Sequence, residues 1–177
     1  LNGLAGPWTP IIESEEGTAN DGIVTNDGSV PWTVPDVLAP AGLPKTNVMI
    51  KVEDSNDTAV SDSSDNAFKI RGNLVFVTPA GGFWGVTNEA RIVSWTTTGS
   101  ITKVNLVYTK DNFTTTTSII SNYANVAGLN TYAWTVPNDQ STTVKLRVSD
   151  FNDSTVSVDS AQFRIDLYQI TFELRDL

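Results

Sequence analysis

The sequence predicts an all-β chain of tandem sandwich modules with essentially no helix, and three observations predict it. Thr, Val, Ser, Asn and Asp dominate the 177 residues, and Gly (12) and Pro (8) punctuate them, a composition that suits strands and turns rather than long amphipathic helices. No window of about 11 residues carries apolar side chains at helical spacing. The sequence also repeats itself at intervals of 95 to 102 positions, the length of one sandwich domain and too long for a solenoid repeat.

The repeat organises the chain. Val30-Pro31-Trp32-Thr33-Val34-Pro35-Asp36 returns as Tyr132-Ala133-Trp134-Thr135-Val136-Pro137-Asn138, 102 positions on. Ile50-Lys51-Val52-Glu53-Asp54-Ser55-Asn56-Asp57 returns as Leu146-Arg147-Val148-Ser149-Asp150-Phe151-Asn152-Asp153 at an offset of 96, and Ala67-Phe68-Lys69-Ile70 returns near Ala161-Gln162-Phe163-Arg164-Ile165 at an offset near 95. The change of offset falls in the Pro-rich stretch from Val37 to Pro44, where insertions are tolerated. Residues 71–165 read as one complete module, residues 1–70 as the C-terminal part of a preceding one, and residues 166–177 as the start of a third. These bounds, with Leu1 in place of an initiator Met, lead us to expect an excised piece of a longer protein.

Within the complete module the elements follow in order. Leu74 to Thr78 alternates apolar and polar and runs into the turn Pro79-Ala80-Gly81-Gly82. Ala90 to Trp95 and Val104 to Lys110 are strands of period two, with Val93 and Trp95 on one face and Ile92 and Ser94 on the other. Asp111-Asn112 makes a turn before a Thr-rich segment. Tyr132 to Val136, Thr143 to Ser149 and Gln162 to Leu167 complete about seven strands with turns every 8 to 12 residues, the pattern of an immunoglobulin-like sandwich. Trp95, and the pair Trp32 and Trp134, are expected in or at the edge of the core.

Composition removes several classes of function. The 20 Asp and Glu against 11 Lys and Arg leave a formal charge of -9, which repels a nucleic-acid backbone. Cys and His are absent, so thiol chemistry, imidazole bases and the common zinc and iron ligand sets are absent too. Nucleophile-elbow and phosphate-loop motifs do not occur, and the acids lie in turns without a partner base, so no catalytic residue is assigned and no enzyme is expected. No apolar run of about 18 residues offers a membrane span.

Two kinds of site remain. Glu53, Asp54, Asn56 and Asp57, with Asp62 and Asp65 nearby, form one oxygen-rich cluster, and Asp150, Asn152, Asp153 and Asp159 form its counterpart. Such loops suit calcium, the one cofactor expected; the alternative is a hairpin turn in which Asn and Asp bond their own backbone. Glu13, Glu15, Glu16, Asp21 and Asp27 form a further acidic stretch, read as a solvated loop. Asn56, Asn112 and Asn152 begin Asn-x-Ser/Thr sequons, and Thr114 to Ser118 is a run of hydroxyl side chains, so these are candidate glycosylation points.

Three segments carry a resemblance: Pro79-Ala80-Gly81-Gly82-Phe83-Trp84, Ala90-Arg91-Ile92-Val93-Ser94-Trp95 and Ile101-Thr102-Lys103-Val104-Asn105-Leu106-Val107-Tyr108. Together they resemble the immunoglobulin-like domain of Ser-Thr-rich, GPI-anchored fungal wall proteins. The later Tyr-x-Trp-x-Val-Pro and Asp-x-Asn-Asp features resemble bacterial surface-layer and adhesin-type proteins that carry such modules in tandem. The resemblance implies an extracellular, cell-surface, non-catalytic module serving as rigid spacer and lateral contact. Its partners would be other copies or neighbouring modules, and cell-wall glycans. The alternative is an adhesin or carbohydrate-binding module of a larger secreted protein, which would need an exposed aromatic row, with Trp8, Trp84 and Tyr123 as candidates.

Overall fold

A computed structural model describes residues 8, 10–11, 22–34, 45–86, 90–167 and 173–174, and the described residues contain strands and turns but no helix. The chain divides into two compact units, Leu1–Leu38 with Lys45–Ile70, and Ala39–Pro44 with Arg71–Leu177. The second acidic stretch, apart from Asp27, lies outside the described residues.

Among its described residues the first unit has four short strands, β1 (Lys45–Val48), β2 (Lys51–Glu53), β3 (Ser61–Ser63) and β4 (Phe68–Ile70). β1 pairs antiparallel with β4 and β2 with β3, giving two separate two-stranded sheets. None of its described residues is fully buried. Two-stranded ribbons of this size are marginal alone in water, since they leave one face and both outer edges to solvent.

The second unit is a β-sandwich. Its strands are β5 (Asn73–Thr78), β6 (Gly82–Gly85), β7 (Ala90–Thr98), β8 (Lys103–Thr109), β9 (Thr117–Ala124), β10 (Gly128–Thr135), β11 (Ser141–Asp150), β12 (Ser157–Asp159) and β13 (Phe163–Asp166). One sheet has the order β10-β7-β5; the other runs β6-β13-β11-β8-β9, with β12 also paired to β11. All pairs are antiparallel except β6 with β13, where Gly82 to Gly85 run parallel to Phe163 to Asp166.

Alternation builds the core. Val104, Leu106 and Tyr108 on β8, Val144, Leu146 and Val148 on β11, and Val93 and Trp95 on β7 point inward and are buried, joined by Leu74, Trp84, Trp134, Val136, Phe163 and Ile165. Full burial of each large apolar side chain contributes roughly 1.5–3 kcal/mol relative to exposure. Trp84 packs at 5.2 Å from Phe163 and 6.0 Å from Trp134, whose ring lies 5.5 Å from Tyr108. Tilted aromatic contacts at these spacings fill the gap between sheets more closely than aliphatic residues would.

β5 and β6 are consecutive yet belong to opposite sheets. The crossing is made by the cis peptide Thr78-Pro79 and by Gly81 and Gly82 at φ values of 112° and 87°, a backbone region open to Gly at little cost. The sequence reading took this stretch as a simple turn. β6 and β12 are the two strands it did not foresee, so the module has nine strands among the described residues and not about seven.

Two buried Asn side chains close the β7–β10 end. Asn125 accepts from Trp95 Nε1 (2.8 Å) and Thr97 Oγ1 (3.2 Å) and donates to the Ile101 carbonyl (2.6 Å). Asn130 accepts from the Val126 amide (2.9 Å) and donates to the Val126 carbonyl (2.8 Å) and the Gly128 carbonyl (3.0 Å). With these partners their burial avoids the penalty of an unmet amide.

Candidate functional sites

The two acidic clusters have the same geometry. In the first, the Asp54 carboxylate accepts the amides of Asn56 (2.8 Å) and Asp57 (3.3 Å), and Asp57 accepts the amide of Ala59 (3.1 Å). In the second, Asp150 accepts the amide of Asn152 (2.8 Å) and Asp153 that of Thr155 (3.1 Å). The enclosing backbone bonds coincide: Asp54 N to Val60 O and Asp150 N to Val156 O, both 2.9 Å, then Val60 N to Asp57 O and Val156 N to Asp153 O, again both 2.9 Å. These are Asx turns, in which a short acidic side chain holds its own backbone.

Three acids of the clusters pair with cations. Asp159 receives Arg147 through two nitrogens, at 2.6 and 2.9 Å. Glu53 pairs with Lys51, and Asp153 lies 3.7 Å from Arg71, whose guanidinium also donates to Thr155 Oγ1 at 2.7 Å. Asp150 is buried, and burial raises its pKa against the opposing pull of the Asn152 and Asp153 amides. Among the described residues no three His, Cys, Asp or Glu converge as a metal-holding group.

A third acidic turn, which sequence reasoning noted only as a turn, links β8 to β9. Asp111 accepts from Thr115 Oγ1 (2.6 Å), Thr115 N (2.9 Å) and Thr109 Oγ1 (2.7 Å), and these bonds, those of Thr115 foremost, lower its pKa to about 2. Asn112 and Phe113 follow at φ values of 55° and 68°. Such dihedrals are uncommon outside Gly and more tolerable for Asn than for Phe. The Phe113 ring lies under the Arg147 guanidinium at 3.8 Å, an attraction that offsets part of that cost.

The three sequon asparagines, Asn56, Asn112 and Asn152, are all exposed and all sit in turns. Asn112 accepts from Lys145 Nζ at 2.9 Å. The hydroxyl run is split by its environment: Thr114 and Thr115 belong to the Asp111 turn, whereas Thr117 and Ser118 open β9.

The aromatic candidates of the second unit do not form an exposed row. Trp8 is exposed, Trp84 is buried in the core, and Tyr123 is half-buried with its ring 5.2 Å from Tyr132 and its hydroxyl donating to the Thr131 carbonyl. Beside Trp84, Trp95 and Trp134 are also core residues. No helix among the described residues is long and apolar enough to cross a membrane. In comparisons with known proteins, no family model matches the chain and no curated protein matches it.

Proposed function

We propose that this chain is a stretch of a tandem array of immunoglobulin-like modules in an exported surface-layer or cell-wall assembly, where the modules act as rigid spacers and lateral contacts. Residues 1–70 are the C-terminal part of one module, 71–165 a whole one, and 166–177 the start of the next. One observation carries the reading: the hairpin of β2 and β3 repeats that of β11 and β12 at a constant offset of 96 positions in strand register, with Lys51 opposite Ser63 where Arg147 faces Asp159. A chain that repeats one sandwich has length and stiffness to offer rather than a cleft. The burial of Trp84, Trp95 and Trp134 favours this over a sugar-stacking module.

The test uses the native source. An antibody raised against residues 71–165 should label the outside of intact cells, and the full-length protein should assemble as its concentration and calcium are varied. Label confined to the cell interior, or a monomer under every condition, defeats the proposal.

A further inference from the structure

The two outer faces of the second unit differ in kind. Residues paired directly across strands share a face of their sheet. On the outer face of β5, β7 and β10, Val75, Thr96 and Leu129 form one row, Ser94 and Thr131 the next, and Ile92 and Ala133 a third. Val75, Val77, Ile92 and Leu129 are 50%, 45%, 54% and 63% exposed. Among the described residues of these three strands, no outward position carries a charge. The outer face of the other sheet carries Lys145, Arg147, Asp159 and Arg164.

The repeat shows that packing does not require this apolar face. At the offset of 102, the inward Tyr132, Trp134 and Val136 correspond to Val30, Trp32 and Val34, so the inward pattern is kept. The outward Leu129, Thr131 and Ala133 correspond to Asp27, Ser29 and Pro31. One copy thus places a carboxylate and a proline, which discourage association, where the other places Leu and Ala. The apolar outer face belongs to the second unit and not to the fold.

We infer that the outer face of β5, β7 and β10 docks a second copy of this chain, sheet against sheet, with the same face used by both. In a chain of formal charge -9, like charges oppose most approaches of one copy to another. An uncharged face lets two copies meet without stripping water from an unpaired charge. Val75, Ile92 and Leu129 supply the apolar contact, and Thr96 and Thr131 separate them with short side chains that let the sheets close. Three strands about 4.8 Å apart, at about 3.4 Å per residue over the eight residues of β10, cover roughly 400 Å². A standard interface buries about 800 Å² on each partner, so one pair of modules associates weakly and repetition along an array multiplies the effect. The inference rests on the tandem-array reading, whose lateral contact it assigns to this face.

Sedimentation equilibrium of the 177-residue chain should show monomer giving way to dimer between about 0.05 and 1 mM, as a contact of this size predicts. Ile92→Asp/Leu129→Asp alters two exposed positions and should lower the dimer fraction at the top concentration by roughly fivefold or more. Near-ultraviolet dichroism of the buried Trp95 should stay unchanged, which shows that the variant folds. Ser118→Asp, on the outer face of the other sheet opposite Val107, should dimerise as the parent chain does. A monomer at about 1 mM overturns the inference, as does a dimer that the double variant forms equally well or that Ser118→Asp disrupts equally. On the unaltered chain, amide shifts on dilution should concentrate at Val75, Ile92 and Leu129. Shifts confined to other strands overturn the inference, and shifts there only on adding cell-wall glycan assign the face to sugar and overturn it too. Full-length protein that assembles while this chain stays monomeric overturns this inference alone, whereas an intact dimer without surface labelling defeats only the array reading.

Discussion

The same hairpin occurs twice in this molecule with two fates. From Ile50 to Ser64 and from Leu146 to Ser160 the backbone bonds agree within about a tenth of an ångström, including the Ser64 amide to the Ile50 carbonyl at 2.9 Å and the Ser160 amide to the Leu146 carbonyl at 2.8 Å. What differs is what lies on the inner face. Leu146 and Val148 pack among Trp95, Leu106 and Val104 in a common core, while Ile50 and Val52 do not. Turn chemistry fixes the hairpin's shape in both places, and the core around it decides whether that shape carries stability. Local hydrogen bonds are nearly exchanged one for one with water, whereas apolar burial is not.

The comparison can be broken most forcefully at the paired valines. Val148→Asp places a carboxylate in the core and should cost more than about 4 kcal/mol, enough to unfold the second unit. Val52→Asp should change stability by no more than about 0.5 kcal/mol. Urea unfolding monitored by tryptophan fluorescence reads both, and equal effects would refute the contrast. Next in size, Trp134→Ala should cost about 3–5 kcal/mol, while Trp32→Ala at the equivalent, half-exposed position costs distinctly less.

A smaller effect, about 1–3 kcal/mol, is expected for Asn125→Ala, which strands the Trp95 indole N–H and the Thr97 hydroxyl; calorimetry would show it as a lowered midpoint for the second unit. Acid should act through the β8–β9 turn, which the first unit lacks among its described residues. Asp111 titrates near 2 when folded against 3.8 in a free chain. Its contribution is therefore full above the unfolded value and is lost as pH falls toward the folded one. Asp111→Asn should flatten the fall in stability between these values, while Asp150, raised by burial, acts in the opposite sense and loses its contribution as pH rises. Removing calcium should have the smallest effect. A bound ion at 100 times its Kd would add about 2.7 kcal/mol, so an EDTA-insensitive melting midpoint supports the turn reading of Asp54 and Asp150, and a shift of several degrees supports a bound cation.

The all-β fold was legible because its signals are short in sequence. The alternation at Val104, Leu106 and Tyr108 and the facing of Val93 and Trp95 could be read from neighbours two positions apart, and the structure has both. The 96-position offset likewise needed only the sequence itself. What escaped was non-local. Nothing near Phe83 and Trp84 announces that they extend into a strand beside Phe163 and Ile165, because that pairing joins residues about 80 apart. For the same reason Trp84 stands among the candidates for an exposed aromatic row, although it is buried in the core. The Asn125 and Asn130 networks were hidden in an Asn-rich composition, where a buried amide looks like any turn residue. The acidic clusters were legible as residues, whereas the backbone amides that their carboxylates accept were not, because those depend on the exact path of the turn.

The parallel pairing of β6 with β13 has a mechanical meaning. It sets a strand near the module's N-terminal end beside the strand near its C-terminal end, running in the same direction through four residue pairs and a further bond from the Val86 amide to the Asp166 carbonyl at 2.9 Å. Tension that draws the two ends of the module apart therefore pulls these strands lengthwise past each other. Their hydrogen bonds are sheared together rather than unzipped singly, while β5, which precedes β6 in the chain and pairs with β7, carries the same load on the N-terminal side.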